Sequence, residues 1–121
     1  MLDGEENIKT LAQIQKALEA VDCDRTAHGL TDSERELLEE SALALRQAER
    51  VLIEQTEKDL LKQLDSVTTR LVEVSKLIRD KVKSINNIAK TLDELEAVVK
   101  YLALIGGFAS KLKKLFHINE W

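Results

Sequence analysis

Leu60-Leu61-Lys62-Gln63-Leu64-Asp65-Ser66-Val67-Thr68-Thr69-Arg70-Leu71-Val72-Glu73-Val74-Ser75-Lys76-Leu77-Ile78 is the stretch whose reading decides the fold. Within it Leu60, Leu64, Val67, Leu71, Val74 and Ile78 recur at spacings of four, three, four, three and four. A side chain returns to one face of an α-helix every three to four residues, so these six form a heptad seam that another helix must cover. A turn at Asp65-Ser66-Val67-Thr68-Thr69 would split Leu64 from Val67. The seam therefore predicts an unbroken helix through that polar patch.

Working outward, the 76 residues from Leu30 to Ile105 contain neither Gly nor Pro, and as one helix they would extend about 114 Å, too long for a compact domain of this mass. The better place for a break is Ser84 to Thr91. The heptad slips after Ile78, Asn86 and Asn87 tolerate the left-handed backbone that ends helices, and Thr91-Leu92-Asp93-Glu94 has the form of a capping box. Upstream, Thr31-Asp32-Ser33-Glu34 matches the same box closely and predicts a helix start. Before it, Asp3 with Glu6 forms a capping pair, and Ile8, Leu11, Ile14, Leu18 and Val21 form a stripe. The connection from Cys23 to Leu30 contains Gly29.

The expected fold is all-α and a single domain over 1–121: one long central helix at about 31–84, flanked by a short helix at about 5–22 and a third at about 91–116. The alternative is a compact up-down four-helix bundle with its break near 65–69. On the first arrangement part of the long stripe stays uncovered, which predicts self-association or a partner helix.

Composition agrees with long helices whose outer faces are solvated: a third of the chain is charged, Pro is absent and Gly occurs four times. The net charge of −4 hides an asymmetry. Residues 1–66 hold sixteen acids and eight bases, giving −8, while residues 67–121 hold six acids and ten bases, giving +4. Such fields steer association between acidic and basic faces; ordinary solvated helix surface explains them equally well. Cys23 is the only cysteine, so no disulfide forms within the chain. The acidic start, Met1 to Glu6, lacks the basic-then-apolar order of a signal peptide. The expected location is cytoplasmic, with peripheral attachment to a membrane as the variant.

Motifs for chemistry are sparse. In Asp22-Cys23-Asp24-Arg25-Thr26-Ala27-His28-Gly29 oxygen-bearing residues alternate as in a calcium loop. Counted from Asp22, however, the sixth position is Ala27 where Gly is required, and the twelfth is Ser33 where a bidentate Glu is required. Cys23 and His28 offer at most half a transition-metal site. His28 and His117 fall in no metal-binding helical motif, and Glu36, Glu39 and Glu40 suit the start of a helix dipole without any catalytic role. No catalytic residue, cofactor, metal or small-molecule substrate is expected. The basic run Arg70, Lys76, Arg79, Lys81 and Lys83 points around the helix, is interrupted by Glu73 and Asp80, and has no aromatic residue beside it, so nucleic acid is not favoured.

All four aromatics, Tyr101, Phe108, Phe116 and Trp121, lie in the last 21 residues, with Gly106-Gly107 and Lys111, Lys113 and Lys114. The segment carrying Val98, Tyr101, Leu102, Ile105, Phe108, Leu112 and Phe116 is apolar on nearly every face at first and must be buried by core, partner or lipid. Its longest uncharged run, Tyr101 to Ser110, is ten residues, about 15 Å as a helix and too short to span a bilayer. In composition the chain resembles helical assembly proteins of bacteria and phage, chemoreceptor-like coiled coils and the stalks of helical pore-forming toxins, with no diagnostic residue shared. The functional expectation is a non-enzymatic scaffold or adaptor that homo-oligomerises or binds a partner helix through the Leu60 to Ile78 seam. The alternative is a membrane-active protein working through residues 98–116.

Overall fold

Four α-helices carry the residues described by the computed structural model, 4–54, 60–86 and 88–107: α1 (Gly4–Arg25), α2 (Asp32–Glu54), α3 (Leu60–Lys81) and α4 (Ile88–Gly106). No strand occurs among the described residues. Local chemistry explains most of the boundaries. In α1 the acids Glu5 and Glu6 occupy the first turn and Arg25 the last, each favourable to the helix dipole. Beyond α1 the chain turns, with Gly29 at a φ of 86°, a conformation that favours glycine.

The expected capping box at the start of α2 is present: the Glu34 amide donates to Thr31 Oγ1 at 3.1 Å, and the Thr31 amide donates to Glu34 Oε1 at 3.0 Å. α3 runs through Asp65 to Thr69 without interruption, as its seam requires. α4 ends where Gly107 takes a φ of 74°, the left-handed residue that commonly follows a helix.

Each helix packs against two others: α1 against α2 and α4, α3 against α2 and α4, with no close backbone approach across either diagonal among the described residues. The centre is filled at seven-residue intervals, by Ile14 and Val21 of α1, Leu38, Leu45 and Leu52 of α2, Leu64, Leu71 and Ile78 of α3, and Leu95 and Leu102 of α4, all of them 0 % exposed. A seven-residue return keeps one stripe facing a shallowly crossing neighbour. Ala17, Ala44, Ala48 and Ala103 lie beside it and let the helices approach closely. Burying each of the large side chains is worth about 1.5–3 kcal/mol relative to leaving it exposed.

The helix expected over 31–84 is instead two helices, since α2 ends at Glu54, α3 begins at Leu60, and the two pack against each other. The break anticipated by the alternative at 65–69 is also corrected, because those residues lie within α3. The sequence between Ile53 and Leu60 is six polar residues without Gly or Pro, so the apolar stripe lapses there with no turn residue to mark it. The third helix starts at Ile88 rather than 91, which puts Thr91 inside its first turn and not at its cap. The capping pair at Asp3, the turn residue Asn87 and the helix expected over 108–116 lie outside the described residues.

Candidate functional site

The expected interaction seam is in the core. Leu64, Val67, Leu71, Val74 and Ile78 are buried, and Leu60 packs partly buried against them. In the C-terminal segment Val98 and Leu102 are buried, while Tyr101 and Ile105 are half-buried. Phe108, Leu112 and Phe116 lie outside the described residues. The two stretches singled out for docking thus supply, as far as they are described, the interior that holds the helices together.

Among the described residues, Glu34 gathers several hydrogen bonds on one side chain. It is 6 % exposed, and its role extends well beyond the cap. Oε2 accepts from the amides of Lys83 at 2.9 Å and Ser84 at 3.2 Å, and Oε1 accepts from Ser84 Oγ at 2.9 Å as well as from Thr31. One carboxylate therefore joins the start of α2 to the connection between α3 and α4. The Thr31 amide first, then the Lys83 amide, then Ser84 hold the Glu34 carboxyl at about 2 in place of 4.5, against the opposing pull of burial.

Nearby, Thr91 Oγ1 donates to the carboxylate of Asp24, fastening the start of α4 to the end of α1, with both residues buried. Gln13 Nε2 bridges the same helix pair, donating to the Glu94 carbonyl at 3.2 Å and to Glu94 Oε2 at 2.6 Å. These bonds hold structure.

Open grooves between the helices mark the surface, two of them with volumes of about 440 and 380 Å³. The larger of these, between α1 and α4, is lined by Lys16, Glu19, Cys23, Asp24, Lys90 and Glu94. Its charges alternate in sign, so it presents no single-signed field to a charged ligand. The other is bounded by Ala44 and Gln47 of α2 and Lys62, Gln63, Ser66 and Arg70 of α3. The loop once compared with a calcium site uses its charge locally, Arg25 pairing with Asp22 at 2.9 Å. Cys23 and His28 are both exposed. No group of three or more His, Cys, Asp or Glu that could hold a metal occurs among the described residues, and no helix among them is long and apolar enough to cross a membrane.

What the periodicity overlooked is the apolar surface left outside. Ile8 is 69 % exposed, Ile53 64 %, Leu61 59 % and Leu104 68 %. Ile8 lies near the start of α1, Ile53 near the end of α2, Leu61 in the first turn of α3 and Leu104 in the last turn of α4. Leu43 and Leu77 are the other large exposed apolar residues among those described.

Ile8 falls in the stripe expected for α1, yet Ile8, Leu11 and Ile14 follow at steps of three, and each such step falls about 60° short of a full turn. That drift, visible in the sequence, carries Ile8 off the buried face. Compared with known proteins, the chain matches no family model, no curated protein and no solved structure.

Proposed function

We propose that this chain is a non-enzymatic helical scaffold that self-associates through the outer side of α1 and α2. The reading takes the four helices as an up-and-down bundle. Supporting it are the ring of pairwise packings, and the bonds that bring the end of α1 to the start of α4 and the start of α2 to the end of α3. On that arrangement Ile8, Ile53, Leu61 and Leu104 all belong to the end opposite Glu34.

The observation that carries the docking surface is the register between α1 and α2. Gln15 donates a hydrogen bond to Glu49. Leu11 and Ile8 lie one and two turns before Gln15, and Ile53 lies one turn after Glu49. Antiparallel packing therefore stacks exposed Ile8, half-buried Leu11 and exposed Ile53 into one apolar ridge. Beside Ile53 the charges are balanced, Arg46 and Arg50 against Glu49 and Glu54, so the ridge offers apolar area and no single-signed field. A second copy of the chain covers that area.

Sedimentation of the full chain across a concentration series tests the proposal. The expected result is an average mass that rises with concentration and stays at the monomer value when Ile8→Lys and Ile53→Lys are combined with helix content unchanged. A parent chain that remains a monomer throughout overturns it. The same experiment on Leu71→Asp reports folding only, because Leu71 is 0 % exposed inside the bundle.

A further inference from the structure

Building on the self-association proposed above, we infer that the outer face of α2 pairs antiparallel with the same face of a second copy, about a two-fold axis at Leu43. Leu43 and Ile53 are 57 % and 64 % exposed, and Glu36, Glu39, Arg46 and Arg50 are exposed as well. In chain order Glu36, Glu39, Leu43, Arg46, Arg50 and Ile53 follow at spacings of three, four, three, four and three. They form a second heptad stripe on α2, turned away from the buried Leu38, Leu45 and Leu52.

The charges on this stripe are sorted by position. Both acids precede Leu43 and both bases follow it, and half-buried Glu40 adds a third acid to the first group. Within α2 this order sets like charges four residues apart, Glu36 with Glu40 and Arg46 with Arg50, a placement that disfavours a helix on its own. None of these five side chains makes an ion pair among the described residues. The face thus carries charge that its own chain leaves unanswered.

An antiparallel copy answers it. Positions equally far before and after Leu43 come level: Glu36 with Arg50, seven residues each way, and Glu40 with Arg46, three each way, while Glu39 lies beside Arg46. The axis repeats every pair, and Leu43 meets Leu43 at the centre. A parallel copy would set Glu36 on Glu36 and Arg46 on Arg46, so the same charges that favour one orientation oppose the other. Ile53, ten residues from Leu43, then lies about 15 Å from the axis, and the ridge it forms with Ile8 and Leu11 comes level with the start of the other copy's α2. Leu43 and the ridge supply apolar area, and the charges set the register.

Two chains with reversed charge test this register. One carries Glu36→Lys and Glu39→Lys, the other Arg46→Glu and Arg50→Glu. With helix content unchanged, each alone should self-associate about tenfold more weakly than the parent in sedimentation, because the axis doubles every repulsion. An equimolar mixture of the two should recover the parent's average mass, since opposite charges then face each other throughout the heterodimer. A cysteine on the axis gives a second reading that leaves the charges alone. In a chain carrying Cys23→Ser, Leu43→Cys should cross-link to its own copy under mild oxidation, whereas Leu104→Cys, 68 % exposed on the helix diagonally across from α2, should not. A parent that associates while the folded mixture fails to recover, or a Leu43→Cys chain that cross-links no faster than Leu104→Cys, overturns the inference and leaves the ridge alone to carry self-association. A parent that stays a monomer overturns both.

Discussion

In the proposed up-and-down arrangement, the two ends of the bundle are built from different interactions. At one, Glu34 collects donors from Thr31, Lys83 and Ser84, and Asp24 accepts from Thr91, so polar bonds tie α2 to the stretch after α3 and, separately, α1 to α4. At the other, Ile8, Ile53, Leu61 and Leu104 are exposed and Asn7 Oδ1 is buried without a partner. Directional bonds to named groups allow one arrangement of neighbours, whereas exposed apolar surface accepts any shape that covers it. On the proposed reading, the polar end fixes which helices are neighbours and the apolar end is the side that takes contacts.

Between the two ends runs the aliphatic core, and damage there should exceed damage at either. Leu71→Ala is expected to cost about 2–5 kcal/mol, read from the shift in the urea unfolding midpoint. If it costs no more than a surface change, the contrast between core and ends fails.

At the polar end Glu34→Gln should lower the melting temperature at neutral pH, and the loss should depend on pH. A carboxyl whose folded value is about 2 against 4.5 unfolded contributes stability that is complete above 4.5 and lost as the pH falls through about 2. The gap between parent and variant, followed by circular dichroism melts, should hold from neutrality to near 4.5 and close below it. Thr91→Val leaves the buried Asp24 carboxylate without that donor and should cost about 1–3 kcal/mol in the same denaturant assay. At the apolar end Leu104→Lys should change stability by less than about 0.5 kcal/mol, since the side chain is already in water. A large loss at Leu104 would show that this end is structural as well.

The sequence made α3 legible because six seam residues agree on one period, and the start of α2 because Thr31 and Glu34 bond to each other across three residues. Both features are local. The division between α2 and α3 was illegible because the polar run from Glu54 to Asp59 would suit the outside of a continuing helix and contains no residue that forbids one. Nor can a heptad stripe tell whether its cover comes from the same chain or another. Leu71 and Ile78 therefore read as an exposed seam although α2 and α4 enclose them.

The second half of Glu34's role was equally hidden, since its partners Lys83 and Ser84 are 49 and 50 residues away. Thr91 had the spacing of a cap, but α4 begins three residues earlier and its hydroxyl goes to Asp24 instead. Of the candidate surface, only Ile8 gave notice of itself, through steps of three that fall behind the turn of the helix.

The doubled duty of Glu34 has a consequence in time. Its bond to Thr31 closes over a single turn and can form as soon as α2 nucleates, within the microsecond range of helix formation. Its bonds to Lys83 and Ser84 await the arrival of α3 and its return. Interactions absent from the transition state act on the rate of unfolding and leave the rate of folding almost untouched. Removing the Thr31 hydroxyl, which accepts from the Glu34 amide in the same capping box, and removing the Ser84 hydroxyl, which donates to the Glu34 carboxylate, should therefore shift opposite arms of the chevron, the folding arm for the first and the unfolding arm for the second. The same carboxylate would then help to start the bundle and, once closed on Lys83 and Ser84, set how long it stays assembled.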